Sequence, residues 1–303
     1  MILSGRSLPD FSQQLADKLS TPIFTLEHQV FPNGEQLVCV DPSVKNQSVI
    51  IVQSLYSGSQ WTVNDLLVET LLMVDAVERV GASMITVVVP WLGYSLQDRS
   101  FVEGEACSAA VVGKVLQSRL LRAVVAVELH HEHIRDYFSI PVINLSPATQ
   151  IAKAIRSSMS KEEVVVIAPD MGAVRRAAEV ATELQVPIIH LDKTRTGLQT
   201  SVTGDVSMVR GKIAVVVDDI LNTGSTCATV ASYLKKGEAK QVWWVVSHGL
   251  FSGNAKANLE KSQLDGLFVG NSIPVPQQAI PEDLRLEQVD LVPLIAQQLS
   301  SLA

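Results

Sequence analysis

The chain has 303 residues, 47% of them hydrophobic and only 5% aromatic, with a formal net charge of −7. That length suits two domains of ordinary size; the aliphatic bias favours parallel sheets covered by helices; the negative charge argues against nucleic acid or an anionic membrane surface as the partner. Cys39, Cys107 and Cys227 lie far apart without ligand spacing, no charged-then-apolar leader opens the chain, and no apolar run approaches the ~18 residues of a spanning helix, so a soluble, cytoplasmic protein is the expectation.

Met1–Ser4 reads as a strand. Asp10 to Leu19 reads as an amphipathic helix with Phe11, Leu15 and Leu19 on one face. Pro22–Glu27 is extended, Phe31-Pro32-Asn33-Gly34-Glu35 is a turn, and Gln36–Val40 returns as a strand; an Asn-Gly pair between extended runs predicts a hairpin. Ser48–Leu55 is a core strand, Trp61 to Val80 a long helix stopped by Gly81, and Ile85–Pro90 a β-branched run opening into the loop Trp91–Arg99. A helix from Ser108 to Leu120, a strand Ala123–Leu129 and a strand Ile140–Leu145 complete this half. Three histidines, His130, His131 and His133, crowd the end of that first strand near Glu128 and Glu132. Zinc is one reading, but neither an i, i+4 helical pair nor a second distant pair is clear. A strand end turns one side chain to the pocket and its neighbours elsewhere, so His130 is expected at a site and His131 and His133 at the surface.

The alternation then starts afresh. Pro147–Met159 is a helix, Glu163–Ala168 a strand, Pro169–Gly172 a turn, Ala173–Leu184 a helix and Pro187–Leu191 a strand. Asp192-Lys193-Thr194-Arg195 opens a Thr, Gly and Ser-rich stretch reaching Val206, without periodicity, which is expected to be a mobile loop. Lys212–Asp219 is the central strand, Gln241–Ser247 follows it, Gly266–Asn271 is expected to be the last strand, and Val289 to Leu299 a terminal helix.

The chain is organised around Val215 to Thr226. A β-branched run ends in Asp218 and Asp219, and Asn222, Thr223, Gly224, Ser225 and Thr226 lead into a helical pattern. In open α/β sheets ligands bind at the carboxyl ends of strands, and a hydroxyl-lined loop at a helix N-terminus suits a phosphate. An ordinary helix cap is the other reading of the loop. The carboxylate pair weighs against it, because two such charges repel unless something positive is bound. The pair suits ribose hydroxyls or magnesium. No Walker A loop and no Gly-x-Gly-x-x-Gly follows a strand. Lys193 and Arg195, two apart in an extended stretch, are either a solvated basic loop or a clamp for a transferring group.

Taken together, these segments resemble the ribose-phosphate diphosphokinase family. The likeness runs from about residue 2 to 275, on Phe31–Glu35, Tyr94–Arg99, Glu128-Leu129-His130, Ser146-Pro147, Pro169–Gly172, Asp192–Arg195 and Val217–Thr226. The resemblance implies an α/β chain of two tandem phosphoribosyltransferase-like domains, each with a mainly parallel sheet flanked by helices, at 1–147 on the ATP side and 148–303 on the ribose 5-phosphate side. It implies transfer of the β,γ-diphosphoryl group of ATP to the 1-hydroxyl of ribose 5-phosphate, with Mg2+. By position it makes Lys193 and Arg195 catalytic, His130 and Asp170 the groups around magnesium, and Phe31, Asn33, Gly34, Glu35, Gln97 and His130 the ATP side. Asp218, Asp219, Asn222, Thr223, Gly224, Ser225 and Thr226, with Arg195, would hold ribose 5-phosphate. The ATP site would be completed across a subunit interface in a homo-oligomer, often a hexamer built from dimers.

Four positions depart from the family pattern. Leu96 stands for an arginine against ATP, Asn222 for an aspartate, Ser225 for a glycine and Glu128 for an aspartate. A phosphoribosyltransferase would explain the central loop but neither the first half nor the Lys193–Arg195 segment. Leu96 keeps two further readings open: a non-catalytic member that regulates an active partner, and a diphosphokinase of altered acceptor or nucleotide specificity.

Overall fold

The computed structural model describes residues 1–118, 120–160, 163–196 and 199–302, with backbone alone at 25, 193–196, 199 and 200. The chain forms two compact units, Met1–Leu145 with Val292–Ala303, and Ser146–Leu291.

The first unit contains β1 (Ile2–Ser4), α1 (Pro9–Leu19), β2 (Ile23–Thr25), the pair β3 (Glu27–Val30) and β4 (Gln36–Cys39), β5 (Ser48–Val52), α2 (Val63–Val80), β6 (Met84–Val89), α3 (Ser108–Val115), β7 (Leu121–Val127) and β8 (Val142–Leu145). Its main sheet has the order β2-β1-β5-β6-β7-β8 and is parallel throughout. Helices on both faces account for the near-continuous Val and Ile of β5, β6 and β7, which are almost wholly buried. Thr62 caps α2 in a capping box with Asp65, and Gly81 ends it in the left-handed region at φ 93°, which is why Trp61 and Thr62 stay outside the helix. Helix α3 stops at Val115, short of the expected Leu120, because Leu116 leaves the helical region. β3 and β4 pair antiparallel as the Asn33-Gly34 turn predicts.

The second unit contains α4 (Ala148–Ser158), β9 (Val164–Ala168), α5 (Val174–Leu184), β10 (Ile188–His190), β11 (Asp192–Thr196), β12 (Gln199–Thr203), β13 (Ile213–Leu221), α6 (Ser225–Lys236), β14 (Gln241–Gly249), α7 (Ala255–Lys261), β15 (Gly266–Gly270) and β16 (Arg285–Val289). The order β10-β9-β13-β14-β15-β16 is again parallel throughout.

Three expectations are corrected here. The stretch after Leu191 is not an irregular loop: β11 and β12 pair antiparallel from Asp192↔Thr203 to Thr196↔Gln199. Its threonines and Val202 have the β-branched character that favours strands, although no apolar alternation announces them. Gly266–Asn271 is not the last strand; β16 adds a polar edge strand beside β15. The terminal helix, α8 (Val292–Leu302), was expected within 148–303 but packs against α1 of the first unit through a face including Ile295 and Leu299. Among the described residues no helix is long and apolar enough to cross a membrane.

Candidate active site

In the second unit the carboxyl ends of β9, β10, β13 and β14 open on one edge, since neighbouring strands are parallel. Asp170 follows β9, the β11–β12 ribbon follows β10, and the acidic pair with its polar loop belongs to β13. The strand runs on to Leu221 in register with β14, Ile220 opposite His248, so Asp218 and Asp219 lie within it rather than at its tip as expected.

Among the described residues one cation faces both carboxylates, and sequence reasoning gave it no role. Arg176 is buried, its Nη1 3.7 Å from Asp218 Oδ1 and its Nη2 3.6 Å from Asp219 Oδ2. Its Nη1 also donates to the Gly172 carbonyl at 3.1 Å. A signal existed: Arg176 shares the buried stripe of α5 with Ala177, Val180, Ala181 and Leu184, where a lone arginine demands a partner. Asp218 accepts from the Asp219 amide at 2.9 Å. Burial, and then the Asp219 carboxylate, push the Asp218 carboxyl well above its usual range; Arg176 pulls it back and Asp170 adds to the rise. An arriving cation would favour the ionised form of Asp218. Asp170 itself accepts from the Ala173 amide at 3.2 Å and caps the turn Met171–Ala173.

The loop after β13 is shaped by Gly224, which takes φ 72° as the N-cap of α6 with no side-chain cap bond. Any side chain there would be strained in the left-handed region. Thr223 Oγ1 and Ser225 Oγ are 3.3 Å apart, both residues being exposed. Asn222 and Thr226 are half-buried. The loop is pinned from outside: the Ser252 amide donates to the Asn222 carbonyl at 2.9 Å, and Asn258 Nδ2 of α7 to the Thr223 carbonyl at 2.7 Å. The Thr223 and Ser225 hydroxyls stand at the N-terminus of the twelve-residue α6, whose positive end favours an anion. Lys193 and Arg195 lie in β11 opposite Val202 and Thr200; their side chains, on which the expected clamp depends, fall outside the described residues.

In the first unit, Phe31, Asn33, Gly34 and Glu35 form the exposed tip of the β3–β4 hairpin. The Phe31 amide donates to the Glu35 carbonyl at 2.8 Å, the Glu35 amide to Asn33 Oδ1 at 3.1 Å, and Gly34 takes φ 88°. Gln97 and His130 lie beyond the carboxyl ends of the adjacent strands β6 and β7. The Gln97 amide is committed within its own loop: Nε2 donates to Glu105 at 3.0 Å and Oε1 accepts from Ser108 at 2.5 Å. Leu96 beside it is exposed. Glu128 is buried at the end of β7 in the left-handed region, φ 43°.

His131 and His133 do not simply face solvent as expected. Their ring nitrogens meet the buried carboxylate of Asp98, at 2.7 and 3.1 Å. Burial, and then the adjacent His130, lower the His131 pKa from the ordinary imidazole value against the pull of Asp98. Among the described residues no group of three or more His, Cys, Asp or Glu side chains is placed to hold a metal. The two expected metal-side residues belong to different units, His130 to the first and Asp170 to the second.

With this geometry in hand, the comparisons with known proteins divide along the same units. Residues 1–119 match the N-terminal domain of ribose phosphate pyrophosphokinase, and residues 145–284 the phosphoribosyl transferase domain. The ribose-phosphate pyrophosphokinase of Fusobacterium nucleatum is 32% identical over 96% of this chain and 92% of its own length. The chain belongs to the ribose-phosphate pyrophosphokinase family. Another family member, the ribose-phosphate pyrophosphokinase of Mycoplasma pneumoniae, is 32% identical over 99% of this chain and 91% of its own length. The crystal structure of phosphoribosylpyrophosphate synthetase from Mycobacterium smegmatis superposes with a TM-score of 0.88 at 30% identity, covering 100% of this chain and 98% of that one.

Proposed function

We propose that the chain is a ribose-phosphate diphosphokinase, transferring the β,γ-diphosphoryl group of ATP to the 1-hydroxyl of ribose 5-phosphate and releasing AMP and phosphoribosyl diphosphate. The observation that carries this reading is similarity to pyrophosphokinases along nearly the whole chain, both units included. A phosphoribosyltransferase would account for the second unit alone.

In this reading the 5-phosphate sits in the loop Asn222–Thr226, held by hydroxyls and the N-terminus of α6. Asp218 and Asp219 orient the ribose hydroxyls. The 1-hydroxyl oxygen bonds to the β-phosphorus and gives up its proton to solvent, while the bond from that phosphorus to the oxygen bridging the α-phosphate breaks and AMP leaves with that oxygen. Lys193 and Arg195 stabilise the charge gathering on the transferred group; such chemistry asks the protein chiefly for positioning and cations. Phe31, Asn33, Gly34, Glu35, Gln97 and His130 form the ATP side. Gln97 serves there through its loop, since its amide is occupied.

Mg2+ fits the donor set. Its sites need only one or two protein ligands beside substrate phosphates and water, and the carboxylates of Asp170, Asp218 and Asp219 on this edge are the hard oxygen donors such an ion takes. Asp170 and His130 are the residues that would hold it, and the ion would neutralise phosphate charge. The exposed apolar hairpin residues Val30, Phe31 and Leu37 support a homo-oligomer, dimer-based as the family resemblance implies, that completes the ATP site. Three cysteines standing as thiols suit a cytoplasmic location.

The test is AMP release from ATP with ribose 5-phosphate. Pyrophosphate released only when phosphoribosyl diphosphate and a nucleobase are supplied would instead mark a phosphoribosyltransferase. No turnover in any mixture, with altered activity of an added synthetase, would mark a regulatory member. Leu96→Arg is expected to tighten ATP binding about tenfold by returning a cation to an exposed loop position, read as a fall in KM for ATP; lost activity would mean a site rebuilt for another nucleotide.

A further inference from the structure

The loop after β6 and the turn after β7 are tied together through one residue. Asp98 is 1% exposed. Its Oδ2 lies 2.7 Å from His131 Nδ1 and 3.1 Å from His133 Nε2, and Arg99 Nε stands 3.6 Å from its Oδ1. Its main-chain carbonyl accepts from the Tyr137 hydroxyl at 2.6 Å and lies 3.2 Å from His133 Nε2. A buried carboxylate is costly unless polar groups surround it; neither Asp98 Oδ2 nor His131 Nδ1 reaches hydrogen-bond geometry, yet three of the side chains that approach this residue come from the single segment 131–137.

What the clamp holds is given by its neighbours in the chain. Asp98 directly follows Gln97, and His131 directly follows His130, whose ring packs edge-on against it at 4.5 Å between centroids. Beyond Asp98 the same loop is braced further, by Gln97 to Glu105 and Ser108. Gln97 and His130 are thus joined across adjacent parallel strands by side chains that bear no direct part in the reaction.

We propose that Asp98, gripped by His131 and His133, is a positioning residue that fixes the spacing of the two nucleotide-side loops. This rests on the reading that ATP binds at the carboxyl edge of the first unit. A clamp acting there governs ATP affinity and leaves the ribose 5-phosphate loop of the second unit unaffected.

The test uses the full chain. Asp98→Asn keeps the shape and removes the charge from both imidazole contacts. It is expected to raise KM for ATP about tenfold, with kcat and KM for ribose 5-phosphate nearly unchanged, the pattern of lost binding rather than lost chemistry. His131→Ala/His133→Ala should show the same split, and adding Asp98→Asn to it should change little more, because the three act as one unit. His133→Gln, which keeps a donor, should recover most of the ATP affinity. If Asp98→Asn fails to fold, His133→Ala alone carries the test, since its side chain is 41% exposed. The clamp is overturned if both KM values rise together, if the effects add, or if ATP affinity does not move while the wild type turns over normally. A wild type that neither binds ATP in titration calorimetry nor releases AMP overturns the functional reading, and the clamp with it.

Discussion

Lys193→Ala is expected to lower the rate of AMP release by about 10²–10³-fold, the usual loss when a group stabilising transition-state charge is removed. Diphosphoryl transfer gathers negative charge on the phosphoryl oxygens as the bond to AMP lengthens, and a fixed ammonium lowers that barrier more than it stabilises the bound substrates. The loss should therefore appear in kcat. Ribose 5-phosphate binding should be unchanged, because its phosphate is assigned to the loop at the N-terminus of α6, on another segment of the second unit. Single-turnover kinetics with calorimetric binding of ribose 5-phosphate separates the two effects. Near-normal turnover would remove Lys193 from the catalytic role.

Arg176→Met should be the most damaging change to stability. Arg176 is buried, 3.7 and 3.6 Å from the carboxylates of Asp218 and Asp219, and removing one partner of a buried ionic group costs about 3 kcal/mol or more. The cost is pH-dependent and its sign follows from Asp218. Burial and Asp219 already raise that carboxyl, and Arg176 is what lowers it; without the guanidinium it rises further. A carboxyl raised in the folded state takes up a proton on folding, so stability is lost as pH climbs from the unfolded value near ~3.9 through the folded one. The variant's deficit against the wild type should be small at acid pH and widen towards neutrality. Urea unfolding across that range measures it. Adding Asp218→Asn, which removes the stranded charge, should recover part of the loss; a deficit independent of pH and of residue 218 would mean that Arg176 stabilises by packing alone.

The parts of the fold legible in the chain are those whose burial is one-sided or complete. The β-branched runs of β5, β6, β9 and β13 suit the inside of a covered parallel sheet, and Gly81 and the Asn33-Gly34 turn mark stops that few other residues allow. The polar loop at Asn222–Thr226 is legible for the same local reason: its glycine and hydroxyls are consecutive in sequence. The β11–β12 ribbon and the edge strand β16 were missed because their partners, not an apolar pattern of their own, make them strands.

What the sequence by itself determined is therefore the alternation of strand and helix and the consecutive polar loop that follows β13. Tertiary structure alone decided that the terminal helix returns to the first unit against α1, that Arg176 stands before two carboxylates at 218 and 219, and that two histidines read as surface positions hold Asp98. The reason is physical. Propensity and periodicity act over a few residues along the chain, whereas a buried charge is settled by whichever distant group the packing brings within about 4 Å.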